Sequence, residues 1–187
     1  PTNPLLRETQ AEPANSASIH TLLGRPALVL PPQASMASYA AFRLGKGAGL
    51  VPGKAYVLEI DYPDDVPRTI ILLNRGADIT RTIATGKSIG DYREQYAYPN
   101  PESLAYPQTQ TWQTARFYFY LHDRFQPLAA VRNEADTRRP FGPDDGFWVA
   151  LGNPNPKGDP MNQGAAMGNV RLYAVTDNQA AALKTQL

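Results

Sequence analysis

Where proline and glycine fall is what most limits the folds open to this chain. Its 18 prolines and 14 glycines lie between short apolar runs. Proline lacks a backbone donor and clashes inside a helix, and glycine weakens helix interiors. A chain punctuated this closely is expected to build short strands joined by turns rather than a helical bundle. The runs agree with that. In KAYVLEIDY (54–62), Tyr56, Leu58, Ile60 and Tyr62 share one side of a strand, and Val57, Glu59 and Asp61 share the other. RTIILLN (68–74) is nearly all apolar, the pattern of a strand buried on both sides. These two runs read as a hairpin at the centre of a sheet. Further strands are expected at 18–23, 26–30, 36–44, 79–85, 111–122, 147–151 and 169–175. Residues 1–17 read as a linker or surface arm, 18–176 as one β domain, and 177–187 as a tail or short helix. That gives about eight or nine strands with long loops and no βαβ alternation. The fold class is all-β: a two-sheet antiparallel β-sandwich of jelly-roll type, with a closed barrel as the alternative.

Composition removes several function classes. The net charge of +1 leaves no electrostatic footprint for nucleic acid, and the longest basic run is Arg138-Arg139. No apolar run approaches the roughly 20 residues that span a bilayer. Cysteine is absent, so disulfides, thiolate metal sites and cysteine nucleophiles are all excluded. The chain opens at Pro1 without Met, which reads as an excised or processed piece with a leader and neighbouring domains expected outside it. GKGAGLVPG (45–53) carries two Gly-x-Gly steps but neither the spacing nor the following helix of a phosphate loop.

The stretch TWQTARFYFYLHD (111–123) carries aromatic residues on both faces of one strand. Phe117, Phe119 and Leu121 suit the core, with Phe147, Val149, Leu151, Val170 and Leu172. Trp112, Arg116, Tyr118, Tyr120 and His122 then point the other way, and Trp148, Arg171 and Tyr173 are expected with them. Sugar rings present flat C–H patches that stack on aromatic faces, while their hydroxyls need fixed polar partners, so this mixture suits a carbohydrate. The other reading is a second core closed by the N-terminal arm or a long loop. Three or more of the five aromatics open to solvent in a groove would favour glycan; a flat or covered face would favour packing. The loop DYREQYAYPNPESLAY (91–106) is a second candidate. Tyrosine gives contact area and a hydroxyl at low entropy cost, and Arg93, Tyr96 and Tyr98 are its expected contacts.

The runs LVPGKAYVLEIDYPDD (50–65), TWQTARFYFYLHD (111–123) and GNVRLYAV (168–175) resemble galactose-binding-like jelly-roll domains, as in carbohydrate-binding modules of bacterial polysaccharide-degrading enzymes. The resemblance covers most of residues 18–176. It implies a secreted, non-catalytic module that binds a polysaccharide or oligosaccharide and is accessory to a glycoside hydrolase domain in a longer chain. Binding carried by stacking and neutral hydrogen bonds would depend little on salt. No cofactor is required. A structural calcium is expected at Asp61, Asp64 and Asp65, since carboxylates on turns, with backbone carbonyls, supply its oxygen ligands; solvated turn acids are the alternative. A structural spacer or interaction domain is the first rival function. The second is a β-sandwich lyase or hydrolase. Its candidates are His122, Arg116 and Tyr120 as base, neutraliser and acid, or carboxylates such as Glu59 and Asp61, with Asp144 and Asp145 adjacent and divergent. The lyase signature of a Gln-x-His strand paired with a Tyr-Lys-rich strand is absent.

Overall fold

A computed structural model describes residues 9–33, 36–74, 81–85, 107–121, 124–125, 139–140, 146–153 and 162–179. Their strands are β1 (Thr9–Glu12), β2 (Ser18–Leu22), β3 (Arg25–Leu30), β4 (Ser38–Leu44), β5 (Ala55–Pro63), β6 (Arg68–Asn74), β7 (Arg81–Thr85), β8 (Trp112–Tyr120), β9 (Arg124–Phe125), β10 (Arg139–Pro140), β11 (Phe147–Asn153), β12 (Ala165–Met167) and β13 (Val170–Ala174). One antiparallel sheet has the order β1-β4-β11-β6-β7. Two three-stranded antiparallel sheets, β12-β3-β2 and β13-β5-β8, form the second layer, and β9 with β10 makes a separate ribbon.

The second layer is continuous through the chain between β12 and β13. There the Gly168 amide donates to the Asp61 carbonyl at 2.7 Å, and the Asp61 amide donates to the Asn169 carbonyl at 2.9 Å. The run 165–174 therefore pairs first with β3 and then with β5. Both layers contribute to one core: Leu28, Leu58, Ile60 and Met167 from one, Ile70 and Leu151 from the other. Each such side chain contributes roughly 1.5–3 kcal/mol by leaving water. The all-β sandwich expected from the sequence is the architecture found.

The central hairpin is not. β5 has both edges occupied, by β8 and β13, and β6 lies in the opposite layer between β7 and β11. The residues joining β5 to β6 cross from layer to layer, bounded by Pro63 and Pro67, which have no amide to give a ladder. Side chains fix the crossing. Asp65 accepts from Arg68 Nε and Nη2, each at 2.8 Å. Asp64 accepts from the Thr109 amide at 2.9 Å and hydroxyl at 2.8 Å. Four other strands escaped the sequence pattern. β1 falls within the expected arm, β9 and β10 between the strands expected at 111–122 and 147–151, and β12 between those expected at 147–151 and 169–175, each too short to display a period.

Candidate functional site

The register of β8 on β5 runs from Ala55 opposite Tyr120 to Pro63 opposite Trp112, while β13 pairs with the other edge of β5. Side-chain alternation then sorts this sheet into two faces. Phe117, Phe119, Leu58 and Leu172 turn inward to the core, with the Tyr56 and Phe119 rings stacked at 6.1 Å. The outward face carries cross-strand rows. Tyr118 and Tyr173 flank Val57, and Arg116 and Arg171 flank Glu59. Thr114 lies opposite Asp61, with Asn169 on the other side of it. The two-faced reading of 111–122 thus holds over the described part of that strand.

The charged rows form a hydrogen-bonded lattice. Glu59 accepts from Arg116 Nε at 2.6 Å on one oxygen and from Arg171 Nε at 2.9 Å on the other. Asp61 takes both Nη groups of Arg171, at 2.6 and 2.9 Å, and also bonds Thr114, Asn169 and Arg25. The bond from Arg116, then that from Arg171, holds Glu59 below its ordinary acidity range, although desolvation pulls the other way. The bond from Arg171 holds Asp61 well below the usual carboxylate range, again against desolvation. The two acids in turn raise Arg171. A glycosidase acid needs a carboxyl raised far enough to keep its proton near neutrality. Both carboxyls here are moved in the opposite direction, so this pair supplies no general acid.

Trp112 is built into the wall of the sheet. Its indole Nε1 donates to the Leu22 carbonyl at 3.2 Å, and the Arg25 guanidinium sits 4.7 Å from the ring centroid. Gly168 lies against the ring, where a Cβ would stand 2.7 Å from Cζ3. The indole thereby ties the β2–β3 turn to β8. Further along β8, Tyr118 donates its hydroxyl to that of Tyr120 at 2.9 Å, with the rings edge to face at 5.5 Å. That bond pushes the Tyr118 phenol up to about 12.

The structure gathers Arg116, Tyr118 and Tyr120 on one face with Trp112 at its far end, and the expected Arg171 and Tyr173 stand with them. It does not bring Trp148 there: β11 places this residue opposite Arg43 in the five-stranded sheet, because the closing strand pairs with β5 and not with β11. Tyr120 and Tyr173 are exposed, while Trp112 and Tyr118 are half-buried, so among the four aromatics whose exposure is described two are open to solvent, short of the three or more expected of a glycan groove. The second set of contacts, Arg93, Tyr96 and Tyr98, lies outside the described residues, as do His122, Asp144 and Asp145. The three acids expected to hold calcium serve separate partners: Arg171 and Arg25 for Asp61, which lies within β5, Thr109 for Asp64, and Arg68 for Asp65. Among the described residues no group of three or more His, Cys, Asp or Glu is placed to hold a metal ion. Arg25 is a participant that no sequence pattern marks, and Gly168 is marked only as the first residue of GNVRLYAV. Arg25 reaches the face only because β3 and β5 share the 165–174 strand.

No family model matches the chain, and no curated protein matches it. Solved structures do. The C-terminal CBM6 of LamC, a marine laminarinase from Zobellia galactanivorans, is similar over 88% of this chain and 90% of its own, at 8% identity and a TM-score of 0.44. A family 35 carbohydrate binding module from Clostridium thermocellum is similar over 90% and 93%, at 9% identity and a TM-score of 0.45. A carbohydrate binding module of Cellvibrio mixtus lichenase 5A, solved with cellotriose, is similar over 87% and 89%, at 11% identity and a TM-score of 0.41. At these scores the fold assignment rests on the strand pairing described above.

Proposed function

We propose that the outward face of the β13-β5-β8 sheet binds carbohydrate, and that the chain is a non-catalytic module accessory to an exported polysaccharide-degrading enzyme. One observation carries this reading. The inward face of the same three strands already fills the core with Phe117, Phe119, Leu58 and Leu172, and Tyr118, Tyr120 and Tyr173 lie outside that core, the last two exposed. Beside them stand guanidinium donors held in place by buried or nearly buried carboxylates. Tyr118 and Tyr173 lie on either side of Val57, roughly 10 Å apart by strand spacing, which favours an extended chain of sugars over a single ring. Stacking supplies affinity and the fixed polar groups supply orientation.

The test is affinity electrophoresis of the chain in gels containing soluble plant and algal polysaccharides, with product release assayed in the same samples. Retardation without product is expected, and Tyr173→Ala should weaken it by about tenfold, the loss of one aromatic contact. Retardation by none of the polymers would refute the proposal and favour an interaction domain whose face meets a neighbouring protein. Product release would replace it with the enzyme reading.

A further inference from the structure

The lattice on this face is stratified by charge. The carboxylates lie beneath: the side chains of Glu59 and Asp61 are 13% and 6% exposed. The guanidiniums lie above: those of Arg116, Arg25 and Arg171 are 67%, 44% and 34% exposed. Among the described residues three cations stand over two anions, and the nearby Lys54–Asp177 pair is balanced. What arrives from solvent meets guanidinium. Arg171 spends Nε and both Nη groups on Glu59 and Asp61. Arg116 differs. Its Nε is anchored to Glu59, and among the described residues no acceptor meets its two Nη groups. An anchored guanidinium with an open Nη edge is a planar fork already turned toward its ligand, and such forks match carboxylate and sulfate oxygens bidentately. The residue two along on the same face, Tyr118, keeps its proton and adds no negative charge near neutrality.

We propose that this face selects acidic glycans, with Arg116 gripping an oxyanion borne on the sugar as a uronate carboxylate or a sulfate ester. This rests on the carbohydrate reading above and narrows it. It also reverses the expectation of salt-independent binding. A grip on an exposed charge weakens as ionic strength shortens the reach of electrostatics.

The experiment uses the whole chain and matched polymers: polygalacturonate beside its carboxyl-reduced form, and a sulfated galactan beside its desulfated form. At least one acidic polymer should retard the chain about tenfold more strongly than its neutral partner, and added salt should erase the difference. Which pair shows it assigns carboxylate or sulfate. Arg116→Gln should remove the advantage of the acidic polymer while lowering Tm less than Arg171→Gln does, because the residue is solvent-exposed and its single bond to Glu59 is screened. Equal retardation by acidic and neutral partners, or an unchanged acidic preference in Arg116→Gln, overturns the inference and leaves carbohydrate binding standing. Retardation by neither member of either pair overturns the inference, and the wider polysaccharide panel above then decides the carbohydrate reading.

Discussion

Replacing Arg171 by Gln removes the group that both outward carboxylates share. Asp61 loses two charge-assisted bonds, at 2.6 and 2.9 Å, and keeps Thr114 at 2.8 Å, Arg25 at 3.2 Å and Asn169 at 3.3 Å. Two such bonds would contribute about 3–6 kcal/mol if fully shielded. Arg171 is a third exposed, and the remaining donors keep Asp61 partly compensated, so solvent screening lowers the expected loss to about 2 kcal/mol. In a chain of this size that is a fall in Tm of about 4–8 °C. The sign of the pH dependence follows from the depressed acidities. Asp61 and Glu59 titrate below their ordinary values of 3.8 and 4.5 in the folded protein. Their contribution is therefore complete above those values and is lost as pH falls through the folded ones. Without Arg171 the depression shrinks, and less stability remains to be lost. Denaturant unfolding followed by tryptophan emission should thus show a gap between the native chain and Arg171→Gln that holds from about pH 7 to about pH 5 and narrows from there toward about pH 2. A gap of constant size across that range, or no gap at neutrality, would refute the assignment of Arg171 as the keystone of the lattice.

Two further outcomes test neighbouring parts of the face. Gly168→Ala places a methyl group against the Trp112 ring, and the indole must yield its bond to Leu22 and its place under Arg25. A loss of about 1–3 kcal/mol is expected, with a changed tryptophan emission spectrum in the folded protein. Tyr118→Phe removes the donor to Tyr120, and an alkaline absorbance titration of the folded chain should lose a phenol that ionises near 12.

The strands that carry the site were legible because each has one clean alternation. KAYVLEIDY and TARFYFY sort into faces without help from their neighbours, and the NVRLY run adds Arg171 and Tyr173 by the same parity. What alternation cannot give is the partner of each strand. Phe147–Leu151 shows the same two-faced pattern as Thr111–Tyr120, yet it lies in the other sheet, and Trp148 went with it. The β5–β6 hairpin failed for the same reason: a short connector reads as a tight turn whether it stays in its sheet or crosses between layers. Here the buried Asp65–Arg68 pair and the hold of Thr109 on Asp64 decide, and both are contacts made only once the chain is folded. The lattice itself is partly written in sequence as Glu-x-Asp opposite Arg residues of matching parity. The contribution of Arg25 is not, because it depends on how two half-layers are joined.

That joint has a consequence for how the chain reaches its fold. β2, β3, β5 and β8 all precede residues 165–174, yet only this run hydrogen-bonds β3 to one side and β5 to the other. β11, which joins β4 to β6 in the opposite layer, is also late. Until these segments are in place, both layers consist of separate ribbons with open edges and uncovered apolar faces. Contacts this distant in sequence form slowly, and open edges invite pairing with other chains. The interval before residues 147–174 are in place is therefore the period in which this protein is most prone to aggregate, and folding helpers would act there.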